Sequence, residues 1–317
     1  QRLCTHDGGY STFRAEITEL LQAENQLTVQ VDNSVNDRIY PQKADFTFYG
    51  GIYRDVSLLV VNKNHIALGH FGDTGVKITP VLKENGADIQ VETLVEGEGT
   101  VAVELLDAEG NSVARSEGAK TSLHLDAPHL WNGVKDPYLY TCVVRLMQDG
   151  KPVDEVTTKV GIRSFSVDAK KGFFLNGKPY PLHGVSRHQD RKGLGNAITR
   201  EMHDEDMALI RELGANTVRL AHYQHDQYFY DLCDQYGMVV WAEIPYISEH
   251  LPNGRENTIS QMKELIYQNY NHPSIVCWGV SNEITISTKD KADMLDNHRV
   301  LNELCHKMDP TRLTTLA

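Results

Sequence analysis

The sequence predicts a multidomain protein of β plus α/β class, and three observations carry that reading. First, 317 residues exceed one ordinary core, so two or three domains are expected. Second, residues 1 to about 163 alternate polar and apolar positions between turn formers, the pattern of all-β structure. Third, the period changes near residue 166, where short apolar runs begin to alternate with helical segments.

Each region divides into elements. In the first, Thr28–Asp32 and Asp55–Val61 read as strands, with turns or bulges at Gly8-Gly9 and Gly50-Gly51. In the second, candidate strands are Gly75–Leu82, Ala87–Val95, Val101–Leu106, Ser112–Ser116, Ser122–Leu125, Leu139–Gln148 and Val153–Val160. Their turns include Glu84-Asn85-Gly86 and Asp149-Gly150. Seven short strands over roughly 100 residues suggest an immunoglobulin-like β-sandwich. In the third, apolar runs at Leu182–Ser186, Thr217–Ala221, Met238–Glu243, Ile275–Val280 and Leu313–Leu316 alternate with helical segments. Those are Glu205–Leu213, Gln227–Tyr236, Ile259–Tyr270 and Asp290–Met308, with Gly214 and Gly237 as helix stops. A βαβα series requires a parallel sheet with crossover helices. A full barrel has eight such units in about 250 residues. The series here stops about halfway round, or it is a smaller open α/β domain. The expected domains are thus residues 1–64, 65–165 and 166–317.

Composition narrows the function classes. A formal net charge of −12 disfavours nucleic acid and anionic membrane surfaces as partners and is neutral towards an uncharged sugar. No apolar run reaches the roughly 18 residues of a membrane-spanning helix. The five cysteines (Cys4, Cys142, Cys233, Cys277, Cys305) are scattered, with no metal-like pair. Cys142, Cys233 and Cys277 lie in apolar runs and are expected to be buried free thiols, which leans weakly towards a reducing, cytoplasmic compartment. There is no glycine-rich phosphate loop, no H-E-x-x-H run and no G-x-S-x-G context.

The chemistry concentrates where apolar runs end. Ile275-Val276-Cys277-Trp278-Gly279-Val280 closes in Ser281-Asn282-Glu283. In a (β/α) barrel such ends form the catalytic face, so Glu283 beside Asn282 is a candidate general acid/base. Packing near Trp278 would desolvate Glu283 and raise its pKa. The bland alternative is a capping or salt-bridged glutamate. Arg187-His188-Gln189-Asp190 follows the first run and either lines a pocket or forms a solvated loop. Arg219 interrupts an apolar run, so its charge should be paired, either structurally to Glu243 or to orient a catalytic carboxylate. His222 either bonds a ligand hydroxyl or caps a loop.

These stretches resemble glycoside hydrolase family 2, and within it the β-galactosidases. The matching segments are Asp45–Val56 (DFTFYGGIYRDV), Gly184–Asp190 (GVSRHQD), Asn216–His225 (NTVRLAHYQH), Leu232–Pro245 (LCDQYGMVVWAEIP) and Asn271–Glu283 (NHPSIVCWGVSNE). The resemblance implies a jelly-roll sugar-binding domain, of which residues 1–64 would be the C-terminal part, then an immunoglobulin-like sandwich and the first half of a (β/α)8 TIM barrel. It implies retaining hydrolysis of terminal β-galactosides, with Glu283 as acid/base and Asn282 on the sugar 2-hydroxyl. Arg219 would support the nucleophile, and His188, His222 and Asp45 would bind sugar. The nucleophile of the family lies on the seventh barrel strand, beyond the fifth strand that this sequence reaches, so the chain alone is expected to be inactive or nearly so. Well-known β-galactosidases hold magnesium through Glu and His after the third strand. Here Ile244–His250 does not match that pattern, which leaves only a displaced site on Glu249 and His250 as an alternative, and no cofactor is assigned. A β-glucuronidase and a non-catalytic sugar-binding fragment are the rival readings, with the Arg187–Asp190 run favouring galactoside. A carbohydrate is the expected partner, and a homo-oligomer is compatible with the family.

Overall fold

A computed structural model describes residues 2–317. The seven strands expected between residues 75 and 160 form, each within a few residues of its predicted bounds. They are β1 (Val76–Lys83), β2 (Gly86–Thr93), β3 (Thr100–Leu106), β4 (Ser112–Glu117), β5 (Lys120–Leu125), β6 (Tyr140–Gln148) and β7 (Lys151–Val160). Antiparallel pairing orders them as a three-stranded sheet β1-β2-β5 and a four-stranded sheet β4-β3-β6-β7. Alternate residues of β2 and β3 face inward, and Ile89, Val91, Val103, Leu105, Leu123, Cys142 and Leu146 fill the space between the sheets. One buried face per antiparallel sheet gives this period-two pattern.

A small antiparallel sheet not expected from the sequence follows: β8 (Phe165–Asp168), β9 (Gly172–Leu175) and β10 (Lys178–Pro179). Phe173, Leu175 and Tyr180 pack with Trp131 of the sandwich and with Val239 and Val276 of the parallel sheet. This cluster joins the two larger units. Trp131 adds a hydrogen bond from its indole N–H to the Asp234 carbonyl at 2.9 Å.

The last region is β11 (Gly184–Arg187), α1 (Arg200–Glu212), β12 (Thr217–Leu220), α2 (Gln227–Tyr236), β13 (Val239–Glu243), α3 (Arg255–Asn269), β14 (Ile275–Gly279), α4 (Lys291–Met308) and β15 (Leu313–Thr315). All pairings are parallel, and the strand order β11-β12-β13-β14-β15 follows the chain. A doubly wound sheet reverses its order at a switch point. This one does not, so it is an arc of barrel type and not the open α/β alternative. The Asp226 carboxylate accepts from Tyr228 N to start α2, and Gly237 at φ 74° ends it. Asp290 caps α4 in the same way, through Asp293 N. α1 begins earlier than expected, because its first turn is polar and gives no apolar period. No described helix is long and apolar enough to cross a membrane.

The first region departs from expectation. Between residues 2 and 64 only a short 3-10 turn, Thr18–Leu20, is regular. Neither predicted strand forms, and Val29, Val31, Val56, Leu58 and Val60 are exposed. Strands need a paired neighbour and an apolar layer, and among the described residues these have neither. The jelly-roll part is therefore not built. Residues 2–64 instead run as a strap over the parallel-sheet region, pinned at a few points. Tyr40 is buried in the barrel core against Tyr246, and its hydroxyl accepts from Leu251 N at 2.6 Å. Tyr10 stacks on Tyr223 at 4.4 Å.

Candidate active site

The carboxyl ends of β11 to β14 bring together most of the residues singled out in the sequence. Arg219, on β12, reaches across to Glu243 at the end of β13. Its Nε donates to both carboxylate oxygens at 3.2 Å, and its Nη2 donates to Oε2 at 3.0 Å. The same Nη2 donates to Asn282 Oδ1 at 2.7 Å, and the guanidinium lies 4.2 Å over the Trp241 ring. Arg219 therefore forms the ion pair with Glu243 that the bland reading anticipated, and it also holds Asn282.

Glu243 is fully buried, which an ionised carboxylate tolerates only when its oxygens are taken. Besides Arg219, His222 Nδ1 lies 2.6 Å from Oε1. Space for this carboxylate depends on Gly279, which pairs with Glu243 across β13 and β14. A Cβ at residue 279 would sit 2.9 Å from Glu243 Oε2 and would collide with the Trp241 indole.

Asn282 is buried because the parallel ladder runs on past β14. It bridges Ile247, its N–H donates to the Tyr246 carbonyl at 3.0 Å, and Ser248 N donates to its carbonyl at 3.2 Å. Glu283 comes next and is exposed. Its backbone turns into the left-handed region at φ 47°, which a residue with a Cβ adopts at some cost. Its N–H donates to the Ala317 carbonyl at 2.6 Å. Trp278 points elsewhere, fully buried with its N–H donating to Asp309 at 3.0 Å. The desolvation by Trp278 expected for Glu283 is thus absent.

His188 follows β11 and is half-buried, with its ring 5.1 Å from that of His222 and its Nδ1 3.3 Å from the Tyr223 hydroxyl. Burial, and then the neighbouring His222, lower its pKa, against the opposing charges of Asp190 and then Asp45. Asp45 itself is exposed. The strap thus delivers one sequence-predicted residue to this face, and with it one that the sequence did not reveal. Phe46 packs its ring 4.9 Å from His188, 5.9 Å from His222 and 5.5 Å from Tyr223.

The Arg187–Asp190 run is not four pocket-lining groups. Arg187 points into the core, bonded to Asp206 at 2.7 Å and lying 3.8 Å over Phe229. Its Nη1 and Nη2 also reach Nδ1 of His225 and of His203, at 3.0 and 3.1 Å. Gln189 is buried and accepts from Asp226 N at 2.6 Å. Asp190 is exposed and accepts from the Tyr49 hydroxyl at 3.3 Å. Only His188 of the four stands beside His222, so the run loses its weight as a mark of galactoside specificity.

The displaced magnesium pair does not fit. Both ring nitrogens of His250 are engaged at 2.6 Å, by the Tyr246 hydroxyl and by Asp293. Among the described residues, the group with ligand atoms close enough for a metal is Asp231, Asp234 and His272, at the amino end of the sheet. There Asp234 is already bonded to His272 Nδ1 at 2.6 Å and to Ser274 N at 3.1 Å. All five cysteines are free; Cys142 and Cys233 are buried as expected, and Cys277 is half-buried.

Comparison with known proteins agrees with this architecture. The profile described as "Glycosyl hydrolases family 2, TIM barrel domain" matches residues 166–317, and "Glycosyl hydrolases family 2" matches residues 70–163. The chain belongs to glycoside hydrolase family 2. It is 40% identical to a β-glucuronidase of Bacteroides fragilis, covering 98% of this chain and 48% of that protein. To a β-galactosidase of Thermoanaerobacter pseudethanolicus it is 32% identical, over 98% of this chain and 42% of that protein. Among solved structures, an FMN-binding β-glucuronidase from Facaelibacterium prausnitzii L2-6 superposes with a TM-score of 0.93 at 42% identity, covering 99% of this chain and 50% of that one. The chain spans about half the length of the curated relatives it matches.

Proposed function

We propose that the carboxyl-end face of β11 to β14 is the sugar site of a retaining β-glycosidase, with β-glucuronides as its preferred substrates. The observation that carries the proposal is the convergence of Arg219, Asn282, His222 and His188 on one face, with Glu283 at its edge and Asp45 brought in by the strap. In this reading Glu283 is the acid/base: it protonates the leaving oxygen, then deprotonates the attacking water. Its exposure suits a group that exchanges protons with solvent in each cycle. Asn282, held by Arg219, presents its amide to a sugar hydroxyl, and His188, His222 and Asp45 meet others. Such partners confer specificity because a site group left unmatched is costly.

Retention needs a second carboxylate about 5 Å from the first. Glu243 is not that group, since its oxygens are bound to Arg219 and His222 inside the protein. Arg219 sits where it can steady a neighbouring carboxylate as well as Glu243. No step is routed through a metal, because the residues after β13 do not form the ligand set that the family resemblance implied.

Glucuronide is preferred over the galactoside first inferred from the sequence for two reasons. The relatives at 40 and 42% identity are named β-glucuronidases, against 32% for the β-galactosidase quoted above. Two residues of the Arg187–Asp190 run, the main sequence argument for galactoside, are turned inward: Arg187 and Gln189. The test is parallel turnover of nitrophenyl β-glucuronide and nitrophenyl β-galactoside by the longest natural polypeptide that carries this sequence. A larger kcat/KM for glucuronide supports the reading, and a larger one for galactoside restores the sequence-based inference.

A further inference from the structure

Glu243 has no chemical part so far, and it is fully enclosed. We propose that it is a positioning residue, which locks His222 as the Nδ1–H tautomer and so offers the sugar a bare Nε2. The proposal rests on the sugar-site reading above and deepens it by assigning what His222 recognises.

The geometry decides the tautomer. Two heteroatoms 2.6 Å apart share a proton, and Glu243 Oε1, already gripped by Arg219, is an acceptor only. His222 Nδ1 must therefore donate. Its other polar neighbour, Arg219 Nη2 at 3.4 Å, is itself a donor, so that approach is not a second hydrogen bond. The proton of a neutral imidazole is thus fixed on Nδ1, and Nε2 carries a lone pair. No hydrogen bond reaches Nε2 from any described residue. The His222 side chain keeps 15% of its surface exposed, beside His188 and Phe46.

A bare ring nitrogen accepts from a hydroxyl and repels a carboxylate. With Nδ1–H held by Glu243 and Nε2 bare, His222 reads a sugar hydroxyl, and the carboxylate of a uronide must be read by other groups. The same carboxylate, through Arg219, fixes Asn282, so Glu243 sets two sugar-facing side chains without touching sugar. Its side chain lies in space that a Cβ at residue 279 would enter. The logic is that of any buried acid that orients a functional histidine.

The test is the tautomer itself, read by long-range proton–nitrogen NMR on this chain with labelled histidine, at a pH where the ring is neutral. His222 is assigned by loss of its signals in His222→Gln. The expected spectrum shows protonated Nδ1 and bare Nε2; protonated Nε2 in the native chain overturns the proposal, whatever any variant does. Glu243→Gln is then expected to take His222 out of the pure Nδ1–H form and, in the longest natural polypeptide, to lower kcat/KM by roughly 10- to 100-fold. A variant that loses activity with the tautomer unchanged assigns Glu243 a merely structural role and overturns the proposal. So does a shifted tautomer with full activity. If the native tautomer is as expected but no glycoside is turned over, the sugar-site reading falls while the assignment of the ring proton stands.

Discussion

Asn282 and Glu283 are neighbours in sequence and opposites in environment. The first is buried with its side-chain oxygen on Arg219; the second is exposed, and its side chain makes no hydrogen bond among the described residues. Glu283→Gln is therefore expected to cut turnover of an unactivated glycoside by about 10²–10⁴-fold, the usual worth of a positioned acid/base. Its unfolding free energy in urea should stay within about 0.5 kcal/mol of native, as at other exposed positions. Glu243 predicts the reverse balance at equilibrium. Glu243→Ala strands Arg219 beside an empty space, and breaking a buried pair from one side costs about 3–5 kcal/mol. Urea denaturation checks that loss. At this scale much of the candidate site was legible in the sequence: Glu283, Asn282, His222 and His188 follow strand ends, and Arg219 stands out as a charge within the apolar run of β12. Phe46 was not legible, since its place depends on how a distant strap crosses the sheet. The inward turn of Arg187 was hidden too, because its partners Asp206, His203 and His225 come from α1 and from the loop after β12.

Two glycines carry the consequences at the level of elements. Gly279→Ala would push a methyl group into Trp241 and Glu243, so it is expected to disturb the site from behind the sheet. The expected result is reduced kcat/KM together with a lowered Tm, in contrast to Glu283→Gln, which lowers only the first. Gly237 closes α2 at φ 74°, and a Cβ there would meet the Gly133 backbone in the loop between β5 and β6 of the sandwich. Gly237→Ala should therefore cost more than the roughly 1 kcal/mol of a left-handed alanine alone, as thermal unfolding would show. The seven sandwich strands and five parallel strands could be read because each alternates or runs apolar between turn formers. The strap misled for a physical reason. Thr28–Asp32 and Asp55–Val61 have strand-like composition, but composition does not supply a pairing partner. The sheet β8-β9-β10 was missed because its strands are two to four residues long.

On the scale of the whole molecule, histidines set the acid response. His203 is held down to about 4 by burial and then by Arg187, and the same two causes lower His225; His188 is lowered by burial and His222. A depressed folded pKa means that the unfolded chain binds the proton first. The stability tied to these groups is present above their ordinary value near 6.5 and is lost as pH falls towards 4. His272 runs the other way. Its burial is outweighed by Asp234, so its contribution is present at low pH and is lost as pH rises above 6.5. His298 is lowered too, by burial, while His6 beside Glu264 and His124 beside Asp88 are raised like His272. The deep depressions at His203 and His225 predict a net loss of Tm between pH 6.5 and 4, and His203→Asn should flatten that slope. The junction of the units rests on Trp131, which has no exposed surface. Trp131→Ala is expected to cost about 3–5 kcal/mol, and limited proteolysis should then separate sandwich from barrel.

Glu283 stands here as the acid/base of a retaining glycosidase site on this face. The most direct measurement is turnover of nitrophenyl β-glucuronide by Glu283→Ala, with and without azide, in the longest natural polypeptide that carries this sequence. Azide attacks a glycosyl-enzyme without needing a general base, so slow turnover that azide restores is expected, with a β-glucuronosyl azide as product. Turnover equal to that of the native protein, or a loss that azide leaves untouched, would contradict it.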